Sequence, residues 1–129
     1  YRHTTTHVSL INYHFVFCPR FRRKIFNIPN VEIRFKELTS LKCSSIGIGI
    51  LAMECHIDYV HLFLSCLPTQ SPADIMKAVK GATSHALRDE FPELARMPSL
   101  WTRSYFVSTA GNVSSETIKW YVNTQKTRS

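Results

Sequence analysis

The stretch ECHIDYVHLFLSC, residues 54–66, decides the fold, because its second half has two faces of different character. Side chains alternate along a strand, so every second residue lies on the same face. One face is wholly apolar and comprises Val60, Leu62, Leu64 and Cys66. The other face mixes polar and aromatic groups and comprises Tyr59, His61, Phe63 and Ser65. This pattern predicts a sheet that is covered by helices on one side and open on the other.

The flanking segments predict the order β-α-β-β-α-β followed by one further helix. The predicted strands span residues 7–18, 46–55, 59–67 and 101–109. The first predicted helix follows Pro29 and has Val31, Phe35, Leu38 and Leu41 at helical spacing. The second begins at SPAD, residues 71–74, where a serine cap precedes a proline, and it ends before Pro92. The third spans about residues 114–127.

This order is that of a ferredoxin-like α+β fold, with a four-stranded antiparallel sheet and an added C-terminal helix. The chain has 129 residues, of which 44% are hydrophobic. That length and that apolar content suit one compact domain, so we assign residues 1–129 to a single domain.

Composition narrows the class of partner and the compartment. The net charge of +7 favours a polyanion, nucleic acid ahead of an acidic membrane surface; a basic enzyme without such a partner is the alternative. Apolar runs are shorter than the ~18 residues of a membrane span, so we expect no membrane insertion. Four cysteines without metal-binding spacing are typical of reduced, buried thiols, which favours a cytoplasmic protein.

The last predicted helix carries a pair of polar-tipped side chains. Tyr121 and Gln125 are four residues apart and therefore share one helix face. Ile118 and Val122 can hold the helix against the domain. From this helix alone, the pattern favours an amphipathic helix whose tyrosine packs with its hydroxyl in water, and a catalytic pair is the alternative.

Four blocks of the chain are similar, in this order, to blocks of the single-tyrosine HUH transposases, the TnpA type carried by the smallest insertion sequences. The blocks are NYHFVFCPRFRRKIF, MECHIDYVHLFLS, LWTRSYFVST and GNVSSETIKWYVNTQ. The resemblance implies that Tyr121 on the C-terminal helix is the catalytic nucleophile. It also implies that His61 and Gln125 bind a divalent metal, Mg²⁺ or Mn²⁺, in a homodimer that acts on single-stranded DNA with a hairpin at the element ends.

One position departs from the family. The metal-binding strand of the family has two histidines, and Tyr59 stands at the position of the first. A phenol with a pKa of ~10 is a poor ligand for Mg²⁺ or Mn²⁺ at neutral pH. Glu54, His56 and Asp58 are candidate substitutes, because a turn or a bulge can bring them to the face of His61. The alternative is that all three are solvated turn residues.

The implied activity is the cutting and rejoining of single-stranded DNA through a covalent 5′-phosphotyrosine, with metal assistance. Candidate phosphate contacts are Arg20, Arg22, Arg23 and Lys24 in a basic loop and Lys77, Lys80 and Arg88 on the second helix. Trp101 could stack a base, and a role in the core or in a dimer interface is the alternative. The rival hypotheses are a decayed relative that still binds hairpin or single-stranded DNA, a single-stranded RNA-binding module and a small-molecule-binding domain.

Overall fold

The computed structural model describes residues 9–109 and 111–125. The strands are β1, Ile11–Phe17; β2, Gly49–Cys55; β3, Val60–Cys66; and β4, Phe106–Ser108. The α-helices are α1, Val31–Ser45; α2, Pro72–Glu90; and α3, Ser115–Thr124. Short 3-10 turns occupy Arg20–Arg22, Ile25–Asn27 and Pro92–Leu94. The order of the elements confirms the predicted β-α-β-β-α-β arrangement with a C-terminal helix.

The sheet has the strand order β2-β3-β1-β4, and its three strand pairs are antiparallel. This is the strand order of the ferredoxin-like fold. The apolar face of β3 is fully buried, as its alternation predicts; its members are Val60, Leu62, Leu64 and Cys66. These side chains pack with residues of α1 and α2 into the main core, so both helices cover the same face of the sheet.

Helix α2 begins as its sequence predicts. Ser71 Oγ accepts a hydrogen bond from the Asp74 N–H at 3.1 Å, and Pro72 occupies the first turn. Helix α3 begins in the same way, because Ser114 Oγ accepts the Thr117 N–H at 3.1 Å. In α1 the predicted apolar stripe is wrong at Leu41, which is 65% exposed.

The fourth strand is much shorter than predicted. Lys80 Nζ donates hydrogen bonds to the carbonyl oxygens of Thr102 and Ser104, at 2.9 and 2.8 Å. A side chain therefore satisfies backbone groups that a strand partner would otherwise take. Trp101 is 3% exposed, and its Nε1 donates to Thr83 Oγ1 at 2.9 Å. Of the roles considered for this tryptophan, the structure supports the one in the core.

Helix α3 lies on the opposite face of the sheet from α1 and α2. Val16 of β1 pairs with His61 of β3, so the two share that face. A second hydrophobic cluster joins Val16 and Cys18 to the α3 residues Ile118, Tyr121 and Val122. The face predicted to be open is therefore covered at one end. Within the described ranges, no helix is both long enough and apolar enough to cross a membrane.

Candidate metal centre and tyrosine site

The β2–β3 hairpin brings a carboxylate beside His61. Glu54 pairs directly with His61, because the chain reverses through the four-residue turn at 56–59. Residues that lie opposite each other on antiparallel strands share a face. His61 Nδ1 donates to Glu54 Oε1 at 3.3 Å. Of the three candidate substitutes, Glu54 therefore contacts His61 directly.

The other two candidate substitutes lie in the turn and have other partners. Asp58 Oδ2 accepts hydrogen bonds from Nε and Nη2 of Arg22, at 2.9 and 2.6 Å. This ion pair holds Oδ2 of Asp58 against the basic loop. The His56 ring stacks on Tyr59 with centroids 4.3 Å apart, and its Nε2 is 3.6 Å from Glu54 Oε1.

Tyr59 is poorly suited to act as an ionised ligand. Burial, followed by the nearby carboxylates of Glu54 and Asp58, raises the pKa of the Tyr59 hydroxyl above its ordinary value. A phenol binds a metal well only after it loses its proton. The raised pKa therefore makes Tyr59 an even poorer ligand for Mg²⁺ or Mn²⁺ at neutral pH than an ordinary tyrosine.

The residue that sequence reasoning missed is His14 on the central strand β1. Its Nδ1 lies 2.9 Å from His61 Nε2, and its Nε2 donates to the Gly111 carbonyl at 3.3 Å. Its ring stacks on Phe63, with centroids 4.0 Å apart and an interplanar angle of 5°. Burial, and then the imidazole of His14, lowers the pKa of His61, and Glu54 opposes that shift.

The predicted nucleophile and the predicted amide ligand are brought together at one serine. Ser104 Oγ donates to Gln125 Oε1 at 2.7 Å and lies 3.0 Å from the Tyr121 hydroxyl. Since the serine proton is directed at Gln125, the Tyr121 O–H is the donor to Ser104. Tyr121 is 6% exposed and Gln125 is 3% exposed. Both polar tips are therefore buried, and each has a hydrogen-bond partner.

The predicted phosphate contacts divide into three groups. Arg23, Lys24 and Lys77 are exposed. Arg22 is held by Asp58, and Lys80 and Arg88 donate to backbone carbonyls within the domain. Arg20 lines two surface pockets together with Arg23, Arg96 and Arg103. Arg96 and Arg103 were not among the predicted phosphate contacts. The exposed groups and these arginines are the cations best placed to meet a phosphate backbone.

The basic loop is held in a strained conformation. Phe21 and Arg22 have φ angles of 58° and 51°, in the left-handed region that bulky residues rarely occupy. Arg22 also lies within 3.5 Å of Asn123 Oδ1 on α3, so one side chain joins the loop, the turn and the helix. Backbone strain of this kind persists where surrounding contacts hold it in place.

Two neighbouring imidazoles can contribute two ligands to a metal ion. Among residues 9–109 and 111–125, no group of three or more His, Cys, Asp or Glu side chains is arranged to hold a metal ion. A metal bound here would have the imidazoles of His14 and His61 as neighbouring donors, and its other ligands would come from elsewhere. Open coordination positions are typical of catalytic rather than structural metal sites.

Comparison with known proteins identifies the family. Residues 7–125 match the family described as transposase IS200-like. The chain is 28% identical over 122 residues to ISDra2 transposase TnpA of Deinococcus radiodurans, covering 92% of this chain and 86% of that relative. It is 33% identical over 102 residues to the transposase for insertion sequence element IS200 of Salmonella typhimurium, covering 77% of this chain and 66% of that relative.

Solved structures agree with this assignment. A crystal structure of a protein from Deinococcus radiodurans R1, assigned as a transposase, has a TM-score of 0.86 at 26% identity and covers 97% of this chain and 98% of that chain. A REP-associated tyrosine transposase bound to a REP hairpin has a TM-score of 0.61 at 10% identity, over 95% of this chain and 69% of that chain, which shows the fold alone. The chain therefore belongs to the IS200-like transposase family.

Proposed function

We propose that the protein cuts and rejoins single-stranded DNA at insertion-sequence ends, with Tyr121 as the nucleophile and a divalent metal as the cofactor. The observation that carries the proposal is the convergence of Tyr121 and Gln125 on Ser104, at distances of 3.0 and 2.7 Å. This polar contact lies on a helix packed against the same sheet face as His61. An amphipathic helix with a purely packing role would have no need for two buried polar tips beside one hydroxyl.

The proposed chemistry conserves the energy of the phosphodiester bond. The Tyr121 oxygen attacks the phosphorus, a Tyr–O–P bond forms, and the bond from phosphorus to the 3′-oxygen breaks. The proton lost by the tyrosine is balanced by the proton that the free 3′-hydroxyl gains. The product is a 5′-phosphotyrosine, so a second 3′-hydroxyl can reverse the step and rejoin the strand without an external energy source.

The metal, when bound, would polarise the scissile phosphate and reduce its negative charge as the nucleophile approaches. His61 and Gln125 offer an imidazole nitrogen and an amide oxygen, which suit Mn²⁺ or Mg²⁺. Gln125 Oε1 must leave Ser104 to take this role, because the hydrogen bond at 2.7 Å uses the same oxygen.

Cleavage requires a change in the surroundings of Tyr121. Tyr121 is 6% exposed and packs against Val16, and its hydroxyl is hydrogen-bonded to Ser104, so little of the residue is open to a phosphate in this conformation. We propose that DNA binding, or pairing with a second copy of the chain, moves α3 and frees the hydroxyl from Ser104. This requirement is met by a homodimer in which Tyr121 on α3 acts at the metal site of either its own subunit or the partner subunit.

The proposed partner is single-stranded DNA that folds into a hairpin. A transposase of the same fold is bound to a REP hairpin, which supports this class of ligand. The net charge of +7 and the exposed side chains of Arg23, Lys24 and Lys77 favour a phosphate backbone. The hairpin stem would offer the protein a duplex backbone, and the flanking strand would offer the scissile phosphate.

A decayed relative that binds DNA without cutting it is the second candidate function. Two observations favour it: Tyr59 stands where the family has a histidine, and Tyr121 is only 6% exposed. In this case hairpin binding persists and no covalent intermediate forms.

Covalent capture tests the proposal without knowledge of the target sequence. Heat-denatured genomic DNA of the source organism is incubated with the protein and Mn²⁺, and complexes that survive SDS are isolated and sequenced. The matched control is Tyr13→Phe, because Tyr13 is a β1 tyrosine that pairs with Leu64 of the buried β3 face. We expect an adduct from the wild type and from Tyr13→Phe, and none from Tyr121→Phe.

The attached strand should resist a 5′-exonuclease and be digested by a 3′-exonuclease, because its 5′ end is blocked by protein. An equal yield of adduct from Tyr121→Phe would show that another residue is the nucleophile. Hairpin DNA retained by the wild type with no adduct under any condition would support the decayed relative.

A further inference from the structure

Two imidazole rings face each other across β1 and β3. His14 Nδ1 and His61 Nε2 are 2.9 Å apart. His14 pairs with Phe63 and His61 pairs with Val16, so the two histidines are diagonal neighbours on one face of the sheet. His14 is 6% exposed, and the side chain of His61 is 16% exposed.

The partners of the two rings determine which nitrogens carry hydrogen. The Gly111 carbonyl can only accept, so His14 Nε2 carries the proton and His14 Nδ1 has the lone pair. The Glu54 carboxylate likewise accepts from His61 Nδ1, so His61 Nε2 has the lone pair. Two neutral rings held in these tautomers would each present a lone pair to the other at 2.9 Å. Either the two nitrogens share a proton, or both bind one metal ion that lies beside the line joining them.

We infer that His14 is a metal ligand that replaces the histidine missing at position 59, so that His14 and His61 bind one divalent ion across two strands. The inference rests on the proposed function for the use of this ion in DNA cleavage. It goes beyond that function because it assigns a metal ligand on β1. The candidates that the sequence offered for the missing histidine all lie within residues 54–66.

The separation of the two nitrogens suits shared coordination. Imidazole nitrogens bind first-row divalent ions at about 2.1 Å, so two donors at 2.9 Å subtend an angle of about 90° at one ion. That angle is the one between neighbouring ligands of an octahedral ion, whereas tetrahedral ligands would lie farther apart. Mn²⁺, which accepts imidazole, amide and phosphate oxygen ligands, suits this geometry.

The remaining contacts have the roles expected around metal-bound histidines. Ligating imidazoles usually donate their second N–H to a carboxylate or a backbone carbonyl, which fixes the ring and its tautomer. Glu54 provides this contact for His61, and Gly111 provides it for His14. Glu54 therefore acts as a positioning residue on the far side of His61 rather than as the substitute ligand.

The alternatives close to His61 are less suited to bind the same ion. The Tyr59 phenol is covered by the stacked ring of His56, at 4.3 Å between centroids. The Asp58 carboxylate is bound to Arg22 at 2.6 Å. His14 is the described residue whose lone pair is already directed at that of His61.

Metal binding can be measured without DNA. Isothermal titration with Mn²⁺ is carried out on the wild type and on His14→Ala, His61→Ala and Tyr59→Phe. The matched control is His85→Ala, because His85 is an exposed histidine on α2. We expect His14→Ala and His61→Ala each to weaken Mn²⁺ binding at least tenfold. Tyr59→Phe and His85→Ala should change it by less than twofold.

Pulsed EPR of the bound Mn²⁺ provides a second readout, because it detects ¹⁴N nuclei of ligating imidazoles. We expect signals from two imidazoles in the wild type and from one in His14→Ala. The double variant His14→Ala, Tyr59→His should bind Mn²⁺ tightly again, because it has a histidine at the position where the family has one. This rescue separates the loss of a ligand from a failure to fold.

Three outcomes would overturn the inference. The first is unchanged Mn²⁺ affinity in His14→Ala, the second is a tenfold loss in Tyr59→Phe, and the third is no Mn²⁺ binding by the wild type, which would mean that the rings share a proton. The capture assay remains separate, because an adduct that depends on Tyr121 and not on His14 would retain the proposed function and reject this ligand. Conversely, Mn²⁺ bound by two imidazoles without any adduct would retain the ligand and reject the proposed function.

Discussion

Replacing Lys80 with methionine should make the stability difference from the wild type depend on pH. Lys80 Nζ is buried against the carbonyl oxygens of Thr102 and Ser104. Burial lowers the pKa of this ammonium group from 10.5 to about 8. Between these two values the unfolded chain binds the proton and the folded chain does not, so stability rises with pH in that window. A methionine has a similar length and no proton to lose.

The size of the effect follows from the two pKa values. With a folded pKa of about 8 and an unfolded pKa of 10.5, the free energy of unfolding gains about 1.3 kcal/mol between pH 7 and pH 9. Lys80→Met lacks this gain, so the wild type should become more stable relative to the variant by that amount. The ionisation of buried cysteines affects both proteins and largely cancels in the difference.

Urea unfolding of the two proteins at pH 7, 8 and 9 measures this quantity. Lys77→Met is the matched control, because Lys77 lies on the same helix and is exposed. The difference between the wild type and this control should be constant with pH. A Lys80→Met difference that also stays constant, within about 0.3 kcal/mol, would refute the burial of the ammonium group.

Three further outcomes are expected. Trp101→Ala should lower the free energy of unfolding by about 3–5 kcal/mol in urea titrations, because the ring is part of the core; a cost under about 1 kcal/mol would contradict this role. Arg23→Ala should reduce the slope of log K against log salt for single-stranded DNA by about 0.7, whereas Lys80→Met should leave that slope unchanged; equal slopes for all three proteins would exclude Arg23 as a phosphate contact. A thiol reagent at pH 8 should react with the cysteines only as fast as the protein unfolds, because burial raises their pKa values; rapid labelling of the native protein would contradict this. The pKa is about 12 for Cys18 and Cys55 and about 11 for Cys43 and Cys66.

The parts of the fold that depend on local patterns could be predicted from the sequence. The two faces of β3 follow from strict alternation, and the start of α2 follows from a serine, a proline and an acid in consecutive capping positions. Leu41 was misassigned because the apolar stripe of α1 is broken by Thr39 and Cys43, which are buried in its place. A buried threonine carries little signal in a hydrophobic pattern.

The parts that depend on contacts between distant residues could not be predicted. The segment before Phe106 is rich in β-forming residues, yet Lys80 binds two of its carbonyl oxygens and strand pairing starts only at β4. His14 became a candidate only when the β1–β3 register put it beside His61, because a shift of one residue would turn its ring to the other face. The alternation of β1 puts His14 on the same face as Val16, but alternation alone does not tell which strand pairs with β1.

The hydrogen bond between His14 and Gly111 joins the imidazole pair to the segment that leads into α3. Whatever fixes the orientation of the His14 ring also anchors that segment four residues before the helix begins. Thermodynamic reciprocity then applies. If a cation bound by both rings favours one position of the nucleophile helix, displacing that helix must weaken the binding of the cation by the same factor. If the two rings bind an ion as proposed, the Gly111 carbonyl would couple the occupancy of that ion to the position of the helix.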